Sequence, residues 1–159
     1  MLLKGSCHCG GVRFSVRSET PYPYLWCYCS ICRKTAGGGG YAINLMGRAE
    51  TLKVQGRQNL AVYRARLSSR ARTRSPGRRH FCRRCGSALW LWDPRWKDWI
   101  YPFASAIDSK LPVPRERQHI FLDSKPSWVE VPKGKAHRHF ARLPREAIID
   151  WHRRRGLGG

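Results

Sequence analysis

The chain has 159 residues, the length of one domain, with 31 Lys and Arg against 10 Asp and Glu and a formal charge of +21. A hydrophobic content of 42% suits a globular core, and no run of about 18 apolar residues exists to span a membrane. The sequence also holds no HExxH, GxSxG, phosphate-binding P-loop or paired-carboxylate motif, which excludes the commonest hydrolase and nucleotide-binding chemistries.

Along the chain, short alternating segments dominate. "GVRFSV" places Val12, Phe14 and Val16 on one face. "YPYLW" leads into "CYCSICRKTAGGGG", Cys27 to Gly40, and "YAINLM" follows the glycines. "ETLKV" runs to a turn at Gln55-Gly56, then "NLAVYRARL". The polar, basic stretch Ser68 to His80 reads as an exposed loop or hairpin tip. "SALWLW" follows Cys85, and "WIYPFA", "HIFLD" and "SWVEV" complete the set. Gly, Pro, Ser and Asn punctuate the gaps, which is the pattern of a mainly β domain of short antiparallel strands. "LPREAIIDWHRRRGLGG" predicts a short C-terminal helix with Pro144 in its first turn, Ala147, Ile148 and Trp151 on one face and Gly156 at its end. The last few residues are expected to be disordered. Residues 1–143 thus read as one domain, and 144–159 as a basic helix and tail.

The N-terminal "MLLKGSCHCG" is too poor in apolar residues for a signal peptide, so the expected compartment is the cytoplasm. An odd count of seven cysteines in a reducing compartment favours metal over disulfides. Cys82 and Cys85 form a knuckle, "CRRCG", in which Gly86 is free to take a positive φ. Cys7 and Cys9 form a tighter pair, "CHCGG". Together the two pairs supply four thiolates to one closed, structural zinc.

Cys27, Cys29 and Cys32 remain. Three protein ligands and one open position is the arrangement of a catalytic zinc, and a soft thiolate site suits a substrate thiol as the fourth partner. Other readings stay open: buried core cysteines, closure by His8, His80 or His119, or an iron–sulfur cluster, whose known spacings these runs do not match. Gly37 to Gly40 reads as backbone that lets a ligand approach, or as a linker. Trp90, Trp92, Trp96 and Trp99 read as core and strand-face residues rather than a base-stacking platform, with Trp90 and Trp92 on one sheet face.

"GSCHCGGVRF", "CYCSICRKTAGG", "FCRRCGSALW" and "HIFLDSKPSW" occur in that order and resemble the glutathione-dependent formaldehyde-activating enzyme family, which also contains a centromere-associated protein. The resemblance covers about Leu3 to Val131. It implies a β-tent zinc-binding fold, as in Rab-accessory proteins and B-type methionine sulfoxide reductases. It implies a structural zinc on Cys7, Cys9, Cys82 and Cys85 and a second zinc on Cys27, Cys29 and Cys32. The implied activity is that of a carbon–sulfur lyase joining glutathione and formaldehyde into S-hydroxymethylglutathione, and the reverse. No catalytic side chain is identified, because a zinc-bound thiol ionises near neutral pH and needs no separate base. The expected partner is a small-molecule thiol, glutathione, which the basic surface helps to capture.

The charge and the centromeric relative carry a competing reading, a zinc-containing nucleic-acid or chromatin-binding module with non-specific nucleic acid as partner. Against it, the arginines are spread along the chain, and no recognition helix of the zinc-finger kind follows a knuckle. A sulfoxide reductase is disfavoured because no cysteine follows Cys85.

Overall fold

The computed structural model describes residues 1–68 and 73–157. The chain is mainly β and divides into two compact units, each built from separate stretches of sequence.

One unit comprises Leu2–Ser18 and Gly47–Lys110. Its first sheet has the order β1-β2-β6, from β1 (Leu2–Ser6), β2 (Arg13–Arg17) and β6 (Lys53–Gln55), all antiparallel. Its second has the order β5-β10-β9-β8-β7, from β5 (Gly47–Arg48), β7 (Leu60–Tyr63), β8 (Arg78–Cys82), β9 (Ala88–Trp92) and β10 (Trp99–Pro102), again antiparallel. The alternation in the sequence sets the core: Leu3, Phe14 and Val16 point inward from the first sheet, and Trp90 and Ile100 from the second. The edge of Phe14 meets the Trp90 ring at 5.0 Å. Gly5 is required here, since a Cβ would sit 2.3 Å from the Ala106 carbonyl oxygen and 2.6 Å from the Phe14 ring.

The other unit comprises Glu19–Met46 and Leu111–Gly159, with Met1. Its sheet has the order β12-β11-β3-β4, from β3 (Tyr24–Cys27), β4 (Ala42–Asn44), β11 (Arg117–Ile120) and β12 (His137–His139). β3 and β4 are antiparallel, whereas β11 runs parallel to both β3 and β12. Helix α1 (Ser30–Ala36) leaves the end of β3, and α2 (Ile148–Arg154) closes the unit.

Several expectations need correcting. "SWVEV" is not a strand: Pro126 and Pro132 flank it and lack N–H donors. Lys125 Nζ donates instead to the carbonyls of Pro126 (3.0 Å) and Val129 (2.6 Å). The C-terminal helix forms but starts later than Pro144. Ala147 is its extended N-cap and is exposed, while Trp151 and His152 are buried. Upstream of it Glu146 is drawn forward into a two-point pair with Arg154, both bonds 2.8 Å. In the basic stretch Ser68 to His80, residues 69–72 lie outside the described residues, as do 158 and 159 at the expected disordered end. The rest of that stretch is more ordered than a loop, because Arg79 and His80 pair with Tyr63 and Val62 inside β8. No helix is long and apolar enough to cross a membrane.

Candidate metal centres

The unit of β1, β2 and β5 to β10 gathers four of the cysteines. Cys7 and Cys9 sit in the turn between β1 and β2, closed by Gly10 N–H on Cys7 O (2.9 Å) and Cys7 N–H on Val12 O (3.0 Å). Cys82 ends β8, and Cys85 lies in the turn to β9. That turn is closed by Gly86 N–H on Cys82 O (2.8 Å), with Gly86 at φ 74° as the knuckle demands. The four sulfurs lie within 4.8 Å of one another. Cys7 and Cys9 Sγ are 3.6 Å apart, and Cys9 and Cys82 Sγ 3.8 Å. A metal–sulfur distance of about 2.3 Å places tetrahedral thiolates roughly 3.8 Å apart, so this donor set fits a zinc-sized ion. The Val12 N–H already donates to Cys7 Sγ at 3.1 Å, the bond a thiolate ligand attracts. Cys85 is pulled down to about 5 by hydrogen bonds from the Ser87 hydroxyl and backbone. The Gly11 amide favours the Cys9 thiolate, but hydrogen bonding to Cys7 and burial outweigh it and raise Cys9 to about 11.

The unit of β3, β4, β11 and β12 gathers the other three. Cys27 ends β3, Cys29 caps α1 and Cys32 lies in its first turn. This short helix is absent from the sequence reading because seven residues leave little periodicity to detect. Its start is set by Cys29, whose Sγ accepts from Cys32 N–H at 3.4 Å. The three sulfurs lie within 4.8 Å of one another, and among the described residues no fourth His, Cys, Asp or Glu joins them. Hydrogen bonds from the Cys27 and Cys32 thiols favour the Cys29 thiolate, holding it down to about 2, while Cys27 is pushed up by the same bonds and by burial. No disulfide joins any of the seven cysteines.

Histidine closure receives no support. Both ring nitrogens of fully buried His119 are engaged, Nδ1 with the Tyr28 hydroxyl at 2.9 Å and Nε2 with His137 Nδ1 at 2.8 Å. The rings of His137 and His139 stack on His119 at 5.1 Å each. Burial and then the neighbouring His139, His137 and Arg117 lower His119 to about 4, so it is neutral near pH 7, with one donor and one acceptor nitrogen. Burial raises Tyr28 to about 12. The Tyr28–His119–His137 chain is a feature that sequence reasoning missed. Its signal was Tyr28 alternating with Cys27 and Cys29, but His137 and His139 lie far along the chain. His80 stacks on Trp90 at 5.0 Å, and His8 belongs to neither cysteine group.

The glycine run is shaped by its own chain. A Cβ on Gly37 would sit 2.1 Å from the Tyr41 carbonyl oxygen, and Gly40, at φ 84°, would meet Val129 at 2.4 Å. Trp90, Trp92 and Trp99 lie on strands, whereas Trp96 ends the short 3-10 turn Pro94–Trp96 and is exposed. Trp90 is buried, and arginines cap the other three rings: Arg78 on Trp92 at 5.0 Å, Arg95 on Trp96 at 4.9 Å and Arg48 on Trp99 at 5.2 Å.

Comparison with known proteins settles the lineage. The sequence profile of the family "glutathione-dependent formaldehyde-activating enzyme" matches residues 2–124. The chain belongs to the glutathione-dependent formaldehyde-activating enzyme family. A relative from Halomonas elongata, named "Putative glutathione-dependent formaldehyde-activating enzyme", is 59% identical over 157 residues, 99% of this chain and 98% of that one. The crystal structure of a Rhodobacter sphaeroides protein is 27% identical, with a TM-score of 0.53 over 69% of this chain and 91% of that one. Both cysteine groups fall inside the segment that matches the formaldehyde-activating family.

Proposed function

We propose that this protein is a zinc-dependent carbon–sulfur lyase that adds the thiol of glutathione to formaldehyde and reverses the addition. The observation that carries the proposal is the three-cysteine group, which has no fourth protein ligand among the described residues. Cys7, Cys9, Cys82 and Cys85 would hold a closed, structural zinc, and Cys27, Cys29 and Cys32 an open one. A zinc bound by three thiolates supplies a site where a thiol sulfur binds and ionises near neutral pH.

The chain's own residues supply position and charge. Cys27 comes from a strand end and Cys29 and Cys32 from one helical turn, so all three ligands rest on regular backbone. Tyr28, between two of them, is locked by its bond to His119, which in turn is held by His137. That bracing fixes the backbone from which Cys27 and Cys29 project. In the addition, the glutathione sulfur forms a bond to the carbonyl carbon, the C=O π pair moves to oxygen, and that oxygen takes up the proton released by the thiol. No side chain is assigned as acid or base. The formal charge of +21 favours the encounter with anionic glutathione.

Calorimetric titration with glutathione and with S-methylglutathione tests this reading. Glutathione is expected to bind and the thioether to bind far more weakly, because it has no proton to lose. Equal binding of the two would exclude a sulfur held at the three-cysteine centre.

A further inference from the structure

We propose that the Arg33 guanidinium is the anchor for a carboxylate of the thiol substrate, so that the three-cysteine centre selects thiols that carry a carboxylate over neutral thiols. The inference rests on the reading that this centre takes a thiol, and it names the residue that recognises the rest of the molecule.

Arg33 follows Cys32 directly and lies one helical turn beyond Cys29, whose carbonyl accepts its backbone N–H at 3.1 Å. Residues four apart on a helix lie on the same side, so Arg33 follows the line of a sulfur ligand along α1. The side chain is half-buried, and its Nε is shut off from solvent with no hydrogen-bond partner. Among the described residues no carboxylate pairs with it. Four of the six acids of this unit are committed elsewhere: Glu116 to Arg155 and Arg138, Asp123 to Arg142, Glu146 to Arg154 and Asp150 to Arg153. In a chain so rich in arginine, most of these cations are exposed or satisfied. A guanidinium that has no carboxylate partner, on the helix that carries two of the sulfur ligands, is available to the anion of a ligand.

The missing partner follows from the chemistry. Arg presents a planar fork of donors that matches a carboxylate at two points. Nε is closed to solvent, whereas the two terminal nitrogens are not among the buried atoms, so the Nη1–Nη2 edge is the one that meets the carboxylate. Glutathione carries a carboxylate on each side of its cysteine, separated from the sulfur by several bonds. A thiol seated at the Cys27–Cys29–Cys32 group can therefore present one carboxylate to a cation on the same helix. Lys34, the next residue, is exposed, and its charge is solvated rather than held in place.

The test compares glutathione with its diethyl ester, which keeps the thiol and loses both negative carboxylates, on wild type, Arg33→Gln and Arg33→Lys, each checked for unchanged zinc content. Wild type is expected to prefer glutathione over the diester. Arg33→Gln is expected to weaken glutathione about tenfold to a hundredfold, the value of a charge-assisted pair, to leave the diester unaffected, and to be partly rescued in Arg33→Lys. A merely structural role for Arg33 would weaken both ligands alike, and that result overturns the inference. So does equal glutathione affinity in wild type and Arg33→Gln, which leaves the thiol reading of the centre standing. If wild type binds neither glutathione nor the diester, the thiol reading fails, and this inference falls with it.

Discussion

Replacing Glu116 by alanine should loosen the C-terminal helix from the unit that holds the three-cysteine group. Glu116 is buried, and its Oε1 accepts from Gln118 Nε2 and Trp151 Nε1, both at 2.9 Å. Its Oε2 accepts from Arg155 Nη2 at 2.8 Å, and Arg138 Nε lies at 3.8 Å. Gln118 and Trp151 are themselves 5% and 2% exposed, so the truncation strands two buried donors. Each costs about 1–3 kcal/mol. Arg155 is 34% exposed, and its share is screened to about 0.5–1 kcal/mol. The sum is about 2.5–7 kcal/mol, centred on the roughly 3–5 kcal/mol that removing one partner from a buried charged cluster usually costs.

For a chain of this size that central range corresponds to a fall in melting temperature of roughly 6–20 °C, unless α2 detaches first. Detachment would instead appear as faster tryptic cutting at Arg153 to Arg155, so both readouts are needed. The effect has a defined pH window. Burial pushes the Glu116 carboxyl up, but hydrogen bonds from Gln118, Arg155 and Trp151 outweigh it and hold it below the ordinary 4.5. A carboxylate with a depressed folded value contributes its full stability above the unfolded value and loses it as pH falls through the folded one. The gap between wild type and Glu116→Ala should therefore be constant from weak acid to neutrality and close in strong acid. A melting temperature within about 2 °C of wild type, together with unchanged tryptic cutting, would refute the reasoning.

Three further outcomes are expected. Cys82→Ser should lower the melting temperature severely, because metal binding at a closed site is folding free energy, whereas Cys29→Ser should melt much closer to wild type; equal losses would make both centres structural. Tyr28→Phe leaves the buried His119 Nδ1 without its hydroxyl and should cost about 1–3 kcal/mol in thermal or urea melts, and an unchanged midpoint would remove the bracing role given to this chain. DNA binding, measured across a salt series, should be weak and fall steeply on a log–log plot, as for a non-specific polycation, and should be the same in Cys29→Ser; tight, sequence-dependent binding at physiological salt would favour a nucleic-acid module.

Period-two alternation was enough to read the mainly β class, because Phe14, Val16, Trp90 and Ile100 bury one face of strongly patterned strands. The cysteine groups were legible for a different reason. Each pair sits in a local turn whose spacing and glycines are written in adjacent residues, as at Cys82 to Gly86. What escaped depended on partners distant in sequence. The parallel pairing of β11 with β3 and β12 aligns His119 with Trp26 and His139, a juxtaposition that no local pattern announces. α1 was too short to show a helical period and is capped by a cysteine, an uncommon N-cap. "SWVEV" looked like a strand because alternation outweighed the prolines at its ends, yet Trp128 remains 68% exposed and its neighbours' carbonyls go to Lys125. Arg33 was only one more basic residue until the burial of its Nε was known.

Zinc content per chain, measured by elemental analysis on freshly purified wild type and on the variant with Cys27, Cys29 and Cys32 all replaced by serine, tests the two-centre account most directly. The four-plus-three division of the cysteines predicts two zinc ions in wild type and one in the variant, with the variant still folded. One zinc in both proteins would show that the three-cysteine group holds no metal and would contradict the proposed chemistry.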